Sequence, residues 1–305
     1  MSKLEKGSPR IIGLEVTDVC SANCVFCAYQ FTEPKGPMSM DIFKKAIGQY
    51  EEMGGKNIVF TPIVGDPLCD PFLFERIKIA TSKGLKVSLH TNGILLGGKV
   101  DRLLGSGVDS IGISMGGFDR EMFYRVFRPS AKSYETHIDS ILGLLEANRR
   151  NGNPVKINII CRIDRLDALQ GPDFERVVSI TDENFRERNI DFEIAVDDWC
   201  GQIKDHHLTG DMIFFPRHRL RRIPCGTLFH PYILRDGSVR ACGCRFSERG
   251  KYDELVLGNV KNNTLGELWH GEKIREIRRS FVDFNPPDVC KKCTSYTPGV
   301  KKEDD

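Results

Sequence analysis

The sequence predicts an α/β fold: a parallel sheet with crossover helices, followed by a small hairpin-plus-helix unit rich in cysteine. Three observations predict it. Between about residue 10 and residue 198, six short apolar runs alternate with helical patterns. Such alternation implies parallel strands joined by right-handed crossovers. After Trp199 the alternation stops and the chain turns polar, and Cys225, Cys242, Cys244, Cys290 and Cys293 cluster toward the C-terminus.

Ile11-Ile12-Gly13-Leu14-Glu15-Val16 reads as the first strand. Beyond a loop holding Cys20, Cys24 and Cys27, Ser39 is a fitting N-cap for a helix with Met40, Phe43, Ile47 and Tyr50 at helical spacing. Gly54-Gly55 ends it, and Ile58-Val59-Phe60 is the second strand. A helix with Leu73, Ile77 and Ala80 stops near Gly84, before a strand from Leu85 to Leu89. Arg102-Leu103-Leu104 belongs to a short helix, and Ser110 to Ser114 is the fourth strand. Ile138, Ile141, Leu142 and Leu145 then make the clearest amphipathic stripe, broken at Asn151-Gly152-Asn153-Pro154. Val155 to Ile160 is the fifth strand. One helix carrying Phe174, Val177, Val178 and Phe185 leads to the sixth, Phe192 to Val196. Periodicity alone does not choose between an open doubly wound sheet and an incomplete barrel.

The expected boundaries are a first domain over 1–200, a linker over 201–222, a second domain over 223–297 and a charged tail over 298–305. In the second domain, Tyr232 to Ala241 reads as a hairpin turning at Asp236-Gly237. Leu265 to Arg279 reads as an amphipathic helix.

Composition narrows the function. Of 305 residues, 40% are hydrophobic and 28% charged, which suits a globular core rather than a disordered chain. Net charge is +2 without a long basic block, so no nucleic-acid partner is expected. No apolar run reaches the ~20 residues that span a bilayer, and the N-terminus lacks the apolar core of a secretory signal. The expected location is the cytoplasm, with no membrane partner. Eleven cysteines, an odd count in a reducing compartment, point to metal sites instead of disulfides.

Cys20-Ser21-Ala22-Asn23-Cys24-Val25-Phe26-Cys27 is a Cys-x3-Cys-x2-Cys run. Three thiolates from one loop can hold three irons of a [4Fe–4S] cluster, leaving the fourth iron open to a small molecule. A structural zinc site fits less well, because it normally closes with four ligands in paired spacing. On this run the chain resembles the radical S-adenosylmethionine (radical SAM) superfamily, with Phe26 as the aromatic before the third cysteine.

The resemblance implies an incomplete (β/α)6 TIM-type barrel with its site at the C-terminal mouth of the strands. It implies Cys20, Cys24 and Cys27 as cluster ligands and SAM as the molecule on the open iron. One electron from the cluster then cleaves SAM, giving a 5′-deoxyadenosyl radical that takes hydrogen from a C–H bond. Gly65-Asp66-Pro67 stands where the family has Gly-Glu-Pro, at the SAM amino group. Thr91-Asn92-Gly93 looks like the family's turn after the third strand. Ser114 matches a serine near the SAM ribose, and Arg128 an arginine near its carboxylate. An external one-electron reductant of flavodoxin or ferredoxin type is the implied partner.

Cys225 and Cys242, with the pair Cys290-Lys291-Lys292-Cys293, supply four thiolates for a second [4Fe–4S] cluster or a tetrahedral zinc. Leu257-Gly258-Asn259-Val260 and Leu265-Gly266-Glu267-Leu268-Trp269-His270-Gly271 resemble the SPASM extension. With no cysteine after Cys293, the resemblance is to its shorter Twitch form, which carries one auxiliary cluster.

Cys244 is the surplus thiol. An S–H bond is weaker than a typical C–H bond, so Cys244 can return hydrogen to a substrate radical, which gives epimerisation. Cys161 and Cys200 are further donor candidates. The alternative is a dehydrogenase that oxidises a secondary alcohol, with the auxiliary cluster accepting an electron and Asp197, Asp198 or His206 as base. The expected substrate is a small polar molecule, carbohydrate or aminoglycoside in type, or a peptide. Arg217, His218, Arg219, Arg221 and Arg222 are candidate hydrogen-bond donors to it. Only about ten residues precede the first strand, leaving no leader-binding segment, which favours the carbohydrate.

Overall fold

The computed structural model describes residues 7–60, 63–130, 134–169, 172–218, 220–243 and 254–299. Six strands, β1 (Ile11–Leu14), β2 (Asn57–Phe60), β3 (Lys86–Thr91), β4 (Ser110–Met115), β5 (Lys156–Arg162) and β6 (Ile190–Glu193), pair in parallel and in chain order. A doubly wound sheet reverses its order at a switch point. Here the order never reverses, as in a barrel, and the sheet keeps two ends, so the barrel is incomplete.

The crossover helices follow the apolar pattern. In α1 (Met40–Glu52), Phe43, Ala46, Ile47 and Tyr50 are buried, and the Ser39 hydroxyl accepts from the Ile42 N–H at 3.3 Å. Helices α2 (Leu73–Ser82), α3 (Val100–Leu104) and α4 (Tyr134–Arg150) follow β2, β3 and β4 in turn. The helix expected between the last two barrel strands is two, α5 (Pro172–Ile180) and α6 (Glu183–Asn189). Asp182 starts the second by accepting from the Phe185 N–H at 2.7 Å. The expected sixth strand also divides. Its second half, β7 (Ala195–Val196), leaves the barrel sheet to pair with β8 (Ile213–Phe214).

The largest departure lies at the other edge. Strand β9 (Tyr232–Ile233) pairs in parallel with β1, and β10 (Ser238–Arg240) and β11 (Val256–Asn259) add antiparallel beyond it. The C-terminal hairpin therefore extends the barrel's own sheet. Gly13 permits this, because a Cβ there would lie 2.2 Å from the Tyr232 ring. Beyond the hairpin come α7 (Leu265–Trp269), α8 (Glu272–Val282) and α9 (Asp288–Lys292). The single helix expected from Leu265 to Arg279 is thus two, parted at His270-Gly271. Trp269 is buried as core, and its indole N–H donates to the Gly7 carbonyl at 2.9 Å.

A large apolar core fills the barrel, and a smaller one, with Leu228, Leu255, Ile274 and Phe281, underlies the C-terminal cysteines. Among the described residues no helix is long and apolar enough to cross a membrane.

Candidate active site

The first three cysteines lie on the loop leaving the C-terminal end of β1. The loop is fixed by its own backbone. Asn23 N–H donates to the Phe127 carbonyl at 3.1 Å, Val25 N–H to Val126 at 2.9 Å, and Cys27 N–H to Cys24 at 3.1 Å. The Phe26 ring meets Phe127 edge-on at 5.7 Å. The sulfurs are already addressed by donors. Cys20 Sγ accepts from Ala22 N–H and Asn92 Nδ2, and Cys27 Sγ from Tyr29 N–H, all at 3.4 Å.

Burial lifts the Cys20 and Cys24 thiols well above the ordinary range. The nearby Asp66 and Cys27 push Cys20 further, and Cys27 and Cys20 do the same to Cys24. Thiols that interact in this way form one polar cluster, and a metal binding there must displace their protons.

The residues expected around SAM gather at the same strand ends, with different roles. Gly65 has φ +123°, and a Cβ on it would lie 2.8 Å from the Thr17 carbonyl oxygen, so only glycine fits. Asp66 stands at the turn after β2, and its side chain faces the chain's own donors. Asp66 is buried, and its carboxylate accepts from Leu68 N–H at 2.8 Å, Thr91 Oγ1 at 2.9 Å and Asn92 N–H at 2.6 Å. It pins the turn after β3 to the turn after β2. Burial raises its pKa, and the Asn92 and Leu68 amides with the Thr91 hydroxyl pull it back. Ser114 is half-buried, next to last in β4. Arg128 is exposed in a left-handed conformation, φ 47°, and its carbonyl accepts from Asn23 N–H at 3.2 Å.

The other four thiols come from distant segments and line one cavity of about 50 Å³. Cys225 precedes a turn over Gly226–Phe229, Cys242 follows β10, Cys290 lies in α9 and Cys293 caps it. Thr227 Oγ1 donates to Cys225 Sγ at 3.2 Å and to Cys242 Sγ at 3.6 Å. Burial raises the Cys290 thiol, and Cys242, Cys293 and Cys225 raise it further. Four sulfurs around a space larger than one water fit a group of several atoms.

Three of the linker arginines have partners in the fold. Arg217 pairs with the buried Asp198, and Arg222 lies over the Phe284 ring at 4.7 Å. Arg221 is buried and donates to the carbonyls of Cys290 and Cys293. Arg219 lies outside the described residues, as does Cys244. Cys161 is fully buried at the end of β5, closed off as a donor. Cys200 packs into the second core. Asp198, a candidate base, is buried and accepts from Arg217 and from the Thr294 hydroxyl. Asp197 accepts from Thr294 Oγ1 at 2.7 Å, and the exposed His206 ring lies 4.2 Å from that of His207, tilted by 35°.

Sequence reasoning missed a strap between the two thiol sites. Trp199 Nε1 donates at 3.0 Å to the carbonyl of Phe26, the neighbour of Cys27. Asp198 N–H donates at 3.0 Å to Thr294 Oγ1, the neighbour of Cys293. Trp199, Cys200 and Gly201 all have positive φ, a run of backbone that packing must hold in place. Cys69, which stands apart in the sequence, was also missed. Its thiol, pushed up to about 11 by burial and then by Asp66, receives hydrogen bonds from Ser21 beside Cys20. Its position directly after Asp66-Pro67-Leu68 was the available signal.

The radical SAM superfamily model matches residues 14–164, and an iron–sulfur cluster-binding domain model, SPASM, matches residues 225–294. An AdoMet-dependent heme synthase of Methanosarcina barkeri is 32% identical, over 94% of this chain and 88% of that protein. One of Oleidesulfovibrio alaskensis is 36% identical over 90% and 79%. Among solved structures, BtrN in complex with AdoMet and 2-DOIA aligns with a TM-score of 0.60 at 16% identity, covering 97% and 96%. Streptococcus suis SuiB bound to precursor peptide SuiA aligns with 0.61 at 14% identity, covering 95% and 72%. At such identities the structures bear on the fold alone.

Proposed function

This chain belongs to the radical SAM superfamily, with SAM and two iron–sulfur clusters as cofactors, and we propose that it oxidises a polar substrate at a C–H bond. Cys20, Cys24 and Cys27 hold the SAM-binding cluster, and Cys225, Cys242, Cys290 and Cys293 hold the auxiliary one, both of [4Fe–4S] type. When bound, SAM and the first cluster supply a carbon radical that removes hydrogen from the substrate, and the auxiliary cluster supplies an electron acceptor. For an alcohol the balance is one hydrogen atom, one proton and one electron removed, leaving a carbonyl.

The observation that carries this reading is the strap. Trp199 and Asp198 join the carbonyl beside Cys27 to the hydroxyl beside Cys293, giving the two sites one fixed relation. Oxidation needs both sites to serve one substrate. Epimerisation needs a thiol that can reach it, and Cys161 is closed off in the core. In this reading the chain's own residues hold the geometry. Asp66 and Gly65 shape the SAM turn, Phe26 and Phe127 close the loop's apolar side, and Thr227 donates to two auxiliary sulfurs.

The substrate class to test first is an anionic tetrapyrrole, because the relatives named heme synthases match along nearly the whole chain. Aminocyclitols and peptides come next. Anaerobic turnover in D2O with each class tests the reaction. A product lighter by two hydrogens from an alcohol, or by carbon dioxide and two hydrogens from a carboxylate side chain, with 5′-deoxyadenosine formed in step, supports oxidation. A product of unchanged composition carrying one solvent deuterium overturns it in favour of epimerisation through Cys244.

A further inference from the structure

The auxiliary cavity holds one feature that ligation alone does not require. Arg221 lines it together with the four cysteines and is 6% exposed. Its guanidinium donates to the carbonyls of Cys290, Cys293 (2.6 Å) and His218 (3.1 Å), and lies over the Tyr296 ring at 5.0 Å. Among the described residues no carboxylate pairs with it, whereas Arg217, Arg125 and Arg235 each have one.

A guanidinium is a fixed charge, and burying one without an anion costs several kcal/mol, on the order of the penalty for any desolvated ion. Carbonyl dipoles and a ring face offset only part of that. The remaining anion has to come from the cavity, where the four thiols stand.

We propose that Arg221 is the counter-charge of the auxiliary site and raises the reduction potential of the cluster held there. This rests on the reading that the four thiols hold an iron–sulfur cluster. The net charge around such a cluster is one of the terms that set its potential, and a nearby cation favours the reduced, more negative form. Arg221 is a positioning and charge-setting residue, without contact to substrate.

The test uses the full chain carrying Cys20/Cys24/Cys27→Ala, so that only the auxiliary cluster remains. Iron and sulfide content are measured, with the midpoint potential by redox titration followed by electron paramagnetic resonance, for Arg221, Arg221→Met and Arg221→Lys. The expected result is a midpoint shifted to more negative values in Arg221→Met and near the parent value in Arg221→Lys. Loss of iron in Arg221→Met, with iron and potential kept in Arg221→Lys, carries the same conclusion. An unshifted Arg221→Met overturns the proposal. So does an equal shift, or equal loss of iron, in both variants, which makes Arg221 an anchor for two carbonyls and nothing more. A parent with no iron in the second site fails differently, because it removes the cluster reading itself.

Discussion

The two cysteine sites are built in opposite ways. The first draws three thiols from one eight-residue loop, whose backbone is tied mainly to one neighbouring segment, 126–130, with Asn92 and Trp199 adding side-chain donors. The second draws four thiols from three separate stretches, brought together by the hairpin that joins β1 and by α9. Beside the first lies a buried carboxylate, Asp66; beside the second, a buried guanidinium, Arg221. A site contained in one loop can be read as a motif and varied as one. A site assembled across the chain depends on the seam between its halves, and its electrostatics come from residues far away in sequence.

The sharpest way to break the comparison is to empty each site alone. Cys20/Cys24/Cys27→Ala is expected to abolish SAM cleavage and to leave about four of about eight irons. Cys290→Ala with Cys293→Ala is expected to keep four irons and SAM cleavage but lose oxidised product. Iron assay and product analysis check both. SAM cleavage that vanishes in the second variant would show that the sites are not separable.

The seam itself carries the next largest effect. Glu15, at the end of β1, is buried against the hairpin turn, where Arg235 N–H donates to its carboxylate at 3.2 Å. Burial pushes its pKa up to about 8; the Arg235 amide pulls it back, and Asp18 adds to the rise. A folded pKa above the unfolded value means that the protonated form favours folding. Glu15's contribution is therefore full below about pH 4.5 and lost as pH rises to about 8. Glu15→Gln is expected to match the wild type near pH 4 and to exceed its stability by on the order of 4 kcal/mol at pH 9. Urea denaturation across that range checks it, and a gap independent of pH would sink it.

Much of this was legible because it is local. The six strands, the Ser39 cap and the Cys-x3-Cys-x2-Cys loop each arise from residues within a few positions of one another. The pairing of Gly13 with Tyr232 was not, because no local pattern states which sheet edge a later hairpin will join. Arg221 read as one of several surface donors, since five basic side chains in six residues look alike until burial separates them. Asp66 was found as a site residue for a different reason. The turn that receives a ligand and the carboxylate that braces that turn occupy the same few positions.

Asp66→Asn probes that brace. The amide has fewer acceptor sites and brings donors toward Leu68, Thr91 and Asn92, which already donate, so about 3 kcal/mol of stability should be lost. SAM affinity is expected to fall with it, since the turns after β2 and β3 are no longer tied. Calorimetry of SAM binding, beside thermal unfolding, checks the pair. A variant that loses stability and keeps SAM affinity would separate the brace from the site.

The smallest effect belongs to the strap. Trp199→Phe keeps an aromatic ring, though a smaller one, and removes the indole donor to the Phe26 carbonyl, a loss of about 1 kcal/mol from that bond. The comparison turns on which site notices. If the strap only stabilises the fold, both clusters stay and 5′-deoxyadenosine still matches product one for one. If it holds the two sites in the relation that oxidation needs, SAM cleavage continues while product falls behind, so the ratio of 5′-deoxyadenosine to product rises. Thr294→Val cuts the other end, where the hydroxyl meets Asp197 and Asp198, and is expected to raise the same ratio. Agreement between the two ends, lying on opposite sides of the strap, would tie the uncoupling to the strap and not to damage at either cluster.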